Sequence, residues 1–69
     1  MKLSARNQLR GKVVSIRHGE AIANVELDVA GQRLVASITV EAVEELGLRE
    51  GSEVTAVIKA SDVIVAAEG

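Results

Sequence analysis

No residue of this 69-residue chain is a cysteine, and that absence closes most of the routes by which so short a chain stays folded. A domain of this size buries only about 60% of the surface its unfolded chain exposes. Small proteins offset the deficit with disulfides, a structural metal or partner chains. Without cysteine there is no disulfide and no thiolate metal site. The one histidine, His18, cannot make a zinc site without several further ligands. Association with other chains is the route left. Composition agrees: 48% of the residues are hydrophobic, yet none is Phe, Tyr or Trp. The apolar side chains are mainly those of Val, Ala, Leu and Ile, which suit repeated strand packing. A single domain is expected over residues 1–69.

Asn24, Glu26 and Asp28 alternate with Val25, Leu27 and Val29, the period-two pattern of a half-buried strand. This strand is expected over Ala21–Ala30. An earlier strand covers Leu9–Ile16, and His18-Gly19-Glu20 turns between the two. Gly11, inside the first strand, predicts a bulge or a close approach by another backbone. Gly31-Gln32 turns the chain into a return strand over Arg33–Thr39. The period then changes. Val40, Val43 and Leu46 sit three apart, with Glu41, Glu44 and Glu45 on the other side, so a short amphipathic helix is expected over Val40–Leu48. Thr39 is its candidate N-cap and Gly47 its C-terminal stop. Glu50-Gly51-Ser52 turns into a fourth strand, Glu53–Lys59, and Ala60-Ser61 joins that to a fifth, Asp62–Ala67. This order predicts an all-β fold, a small OB-like five-stranded barrel with one short helix between strands three and four. A closed barrel also hides its strand edges.

Several function classes fall away. Nucleophilic catalysis needs Ser, Thr or Cys beside a base, and the only histidine sits in a turn. The carboxylates lie on a helix face or at alternating strand positions, which are solvated faces, and no Gly-rich phosphate loop is present. The chain is therefore not expected to be an enzyme. OB-like barrels often bind single-stranded nucleic acid by stacking bases on aromatic rings in a basic groove. Here there are no rings, and the net charge is -2. No signal peptide and no run of about eighteen apolar residues is present, so no membrane association and a cytoplasmic location are expected.

Two donor-rich segments remain. Ser4-Ala5-Arg6-Asn7-Gln8 carries a hydroxyl, a guanidinium and two amides ahead of the first apolar run. Lys59-Ala60-Ser61 places an ammonium, a hydroxyl and backbone N–H groups at a tight strand connection. A tetrahedral dianion needs donors on several sides and compensating charge as it loses water. Arg and Lys supply charge, while hydroxyls and loop N–H groups supply direction. On composition alone, the same segments read equally as a solvated chain start and an ordinary turn.

Ser4-Ala5-Arg6-Asn7-Gln8-Leu9-Arg10-Gly11-Lys12-Val13 resembles the opening motif of the molbindin (Mop) family, molybdate-binding modules related to TOBE domains. Val57-Ile58-Lys59-Ala60-Ser61-Asp62-Val63 resembles the family's second signature, and Glu44-Glu45-Leu46-Gly47-Leu48 with Glu50-Gly51 its helix and turn. The resemblance runs from Leu3 to about Ala66, and the length resembles a stand-alone module. It implies an OB-like barrel, a homo-oligomer (a hexamer in stand-alone members) and molybdate or tungstate held at subunit interfaces. It implies no direct protein ligand to the metal atom. Ser4, Ala5 and Arg6 carry over as one half-site, and Lys59, Ala60 and Ser61 as another. Thr39 matches a position where related modules use a hydroxyl. Asn7 lies within the motif, either touching the anion or anchoring its strand. The implied function is storage or buffering of the oxyanion inside the cell. The alternative is a regulatory or assembly module whose anion site controls a partner protein.

Overall fold

The computed structural model describes residues 3–69. Four strands, β1 (Asn7–His18), β2 (Ile22–Val29), β3 (Gln32–Thr39) and β4 (Glu53–Ile58), form one antiparallel sheet in the order β3-β2-β1-β4. A single helix, α1 (Val40–Leu46), follows β3. The fold is thus mostly β with one short helix, as the periodicity implied.

The alternation in β2 sets the layering. Ala23, Val25 and Leu27 point to one side and are buried, and with Val13 and Val43 they form the core. Asn24, Glu26 and Asp28 line the opposite face, opposite Ser37, Val35 and Arg33 of β3. A two-residue connection, Ala30-Gly31, closes this hairpin, because Gln32 already pairs with Val29. Both turn residues have positive φ, 49° and 85°, the geometry whose twist matches that of the flanking strands. The turn therefore falls one residue earlier than the sequence suggested.

β1 is long because it serves two partners. Its first half pairs with β4, Asn7 opposite Ile58 through Lys12 opposite Glu53. Its second half pairs with β2, and Val14 is inserted as a bulge between Val13 and Ser15. Gly11 marks the close approach predicted for it: a Cβ there would lie 2.9 Å from the Asp28 carbonyl oxygen. The bulge itself falls at Val14 rather than at Gly11.

Thr39 caps α1, its Oγ1 accepting from the Ala42 N–H at 3.0 Å. Gly47, at φ 62°, ends the helix at Leu46, two residues earlier than Leu48, with its N–H returned to the last turn. Of the predicted apolar stripe, Val43 is buried and Val40 half-buried, but Leu46 is 68% exposed. The helix is too short to carry its last turn over the core.

The expected fifth strand is not formed within the chain. Ala60–Asp62 make a 3-10 turn, held by Asp62 N–H to the Lys59 carbonyl and Val63 N–H to the Ala60 carbonyl. The residues that follow pair with no strand. Ile64 and Val65 are 93% and 85% exposed. The sheet stays open, and an apolar groove of about 310 Å³ runs between the inner faces of β3 and β4, with Leu46 and Leu48 at its rim. The five-stranded closed barrel is therefore replaced by a four-stranded open sheet. The outer edges of β3 and β4 both stay unpaired, and the tail of the same chain, turned aside by the 3-10 turn, takes neither.

Candidate functional site

The two donor-rich segments meet at one corner of the sheet. Asn7 and Ile58 form the terminal pair of the β1–β4 ladder. Arg6 and Lys59 are the next residue on each side of that last pair, and past Lys59 the chain leaves the extended register for the 3-10 turn that holds Ala60 and Ser61. Segments more than fifty residues apart in the chain thus share one end of one sheet. The pairing of β1 with β4 achieves this, and no second chain is needed.

At this corner Ser4, Arg6, Lys59, Ala60 and Ser61 are all exposed, whereas Ala5 is 8% exposed and fixes its segment to the body of the domain. Lys59, at φ -66° and ψ 140°, is still extended and leads into the 3-10 turn. Neither Arg6 nor Lys59 forms a salt bridge among the described residues, where the one ion pair is Arg33 with Glu26. Asp62, at the far end of the turn, is exposed and likewise makes no ion pair among them. Two cations with no carboxylate partner among the described residues and two exposed hydroxyls therefore make an open shelf just past the end of the β1–β4 ladder.

Thr39 is not brought to this corner. It pairs with Ile22, beyond the end of the 12-residue β1 that holds His18. That is on the order of 30 Å of strand from Asn7. Its hydroxyl accepts the Ala42 N–H as a helix cap, a use that leaves its proton free to donate elsewhere. Asn7, whose role the sequence left open, is a strand anchor: its Nδ2 donates to the Ile58 carbonyl at 3.2 Å. Its position as the last residue of the ladder was the signal for that role, and the ladder itself was needed to see it.

The TOBE domain model matches residues 3–65 of the chain. Molybdenum-pterin-binding protein 1 of Clostridium pasteurianum is 52% identical over 97% of this chain and 100% of its own length. The chain belongs to the TOBE domain family. Among solved structures, a molybdate-binding protein from Sporomusa ovata superposes on this TOBE domain with a TM-score of 0.94 at 40% identity, covering 97% of this chain and 100% of that one. The cytoplasmic molybdate-binding protein ModG, in a form with molybdate bound, gives a TM-score of 0.88 at 48% identity over 93% of this chain and 46% of its own. The resemblance read from the two motifs is thus matched over nearly the whole chain.

Proposed function

We propose that this TOBE domain binds molybdate or tungstate as the intact oxyanion, between subunits of a homo-oligomer, and buffers it in the cytoplasm rather than transforming it. The observation that carries the reading is the corner where Ser4, Arg6, Lys59 and Ser61 lie at one end of the sheet and both cations lack an acidic partner among the described residues. Each cation can give a charge-assisted hydrogen bond, worth about 1.5–3 kcal/mol. The names of the full-length relatives, which specify molybdenum-pterin or molybdate, support the choice of anion.

The open shelf supports an interfacial site, because a desolvated dianion requires donors on its uncovered side as well. A second copy supplies them, and its Thr39 hydroxyl is one candidate. The apolar tail supports assembly too. Val63, Ile64 and Val65 are exposed, and the groove between β3 and β4 has open strand edges on both flanks. Insertion of this tail into another copy supplies the fifth strand, closes the barrel and removes both edges. A hexamer built in this way is the assembly proposed.

Calorimetric titration with molybdate, tungstate, sulfate and phosphate tests the reading. Molybdate and tungstate are expected to bind alike. Sulfate, being smaller, leaves fixed donors out of reach. Phosphate carries a proton near neutral pH, which a site of donors alone leaves unpaired. Equal competition by sulfate, or no heat with molybdate, overturns the proposal.

A further inference from the structure

We infer that Asn7 is a positioning residue for the anion site: its side-chain amide holds the peptide that leads into Lys59 and so fixes donors that it does not itself provide. The inference rests on the reading of the corner given above. Among the described residues, the other hydrogen bonds between a side chain and the backbone are local, Ala42 N–H to Thr39 and Arg49 N–H to Ser52, each three residues apart. The Asn7 bond spans 51 positions and is partly buried. It therefore joins two segments of the fold rather than trimming a turn.

Its acceptor is the carbonyl of Ile58, the last residue of β4. That carbonyl and the Lys59 N–H belong to one rigid peptide plane. Gripping the oxygen fixes the plane, and with it the direction in which the chain enters the Lys59-Ala60-Ser61 turn. Beyond the ladder pairing of Asn7 with Ile58, which ends here, little else does so. Lys59 has no side-chain cap on the turn it opens, and residues 59–61 are exposed, so packing does not hold them. On the other side, Asn7 follows Arg6 directly, so the same bond ties the Ser4–Arg6 arm to the turn. Donors held in place before the anion arrives lose less freedom on binding.

The test uses the whole 69-residue chain in its native assembly state at pH 8, with Asn7→Ala and the nearly isosteric Asn7→Leu. Molybdate affinity is measured by calorimetry. Amide exchange at Asp62 and Val63, whose N–H groups close the turn, is compared with that at Val25 in the core without anion. Both variants are expected to weaken molybdate about three- to tenfold, the equivalent of one neutral hydrogen bond. Exchange should accelerate at Asp62 and Val63 and stay unchanged at Val25. Asn7→His, whose ring Nδ1–H is as far from Cα as the asparagine amide, should recover part of the affinity. Unchanged affinity in Asn7→Ala and Asn7→Leu, while Lys59→Ala is impaired, overturns the positioning role. Exchange that rises equally at Val25 also overturns it, since the bond then only stabilises the fold. If Arg6→Ala and Lys59→Ala bind molybdate like wild type, the site reading itself fails, and the inference falls with it.

Discussion

Two polar clusters on this domain both combine an arginine with serine hydroxyls, and only one of them holds a carboxylate. On the outer face of the sheet, Arg33 pairs with Glu26, and the Ser15 hydroxyl donates to the other Glu26 oxygen. At the corner, Arg6 and Lys59 stand near Ser4 and Ser61 with no carboxylate partner among the described residues. Cross-strand register makes the difference. Glu26 of β2 lies next to Arg33 of β3 on the same face, so the cation is answered inside the sheet. Arg6 and Lys59 extend past the last ladder pair, where no strand supplies an acid. In a chain of net charge -2, an anion site depends on such local vacancies of negative charge, not on a broad positive field.

The largest effect is expected from removing the second copy altogether. Ile64→Asp places a charge at the most exposed apolar residue of the tail. If the tail closes another subunit's groove, sedimentation should show the oligomer dissociating and molybdate binding lost with it. A surface substitution with no partner would change stability by less than about 0.5 kcal/mol. An intact oligomer that still binds molybdate would show that the tail has no such role.

Next come the cations, where the two clusters are compared directly. Arg6→Ala and Lys59→Ala should each weaken molybdate binding roughly ten- to a hundredfold, while Arg33→Ala leaves it unchanged. Equal losses in all three would mean that only net charge matters and that the corner is not special. Smaller effects sharpen the contrast between direction and charge. Ser4→Ala and Ser61→Ala remove neutral donors and should cost about two- to tenfold. Glu41→Gln and Glu44→Gln, on the exposed helix face, should cost nothing measurable by the same titration.

The β2–β3 hairpin was legible because everything it needs is local. The alternation in residues 24–29 marks the buried face, and a turn two residues long brings the partner strand back. The tail carries an equally good strand pattern in Val63-Ile64-Val65, but a pattern reports what a segment can do and not which edge receives it. Leu46 was misplaced for a related reason: helical spacing puts it on the buried stripe, and only the length of α1 shows that the core ends before it. Of the candidate site, Ser4, Ala5, Arg6, Lys59, Ala60 and Ser61 were legible as two segments, and the β1–β4 register showed that they share a corner. Thr39 was legible as a hydroxyl and as a helix cap, but its distance along the sheet from that corner was not, since it depends on which end of β1 faces β4.

The most direct test of the corner is anomalous diffraction at the molybdenum edge from crystals grown with molybdate. A molybdenum peak is expected with its oxygens in hydrogen-bond reach of Lys59 Nζ, the Arg6 guanidinium and the Ser4 or Ser61 hydroxyl, with a second copy covering the open side. A peak over the Glu26–Arg33 face, with none at the corner, would contradict the account.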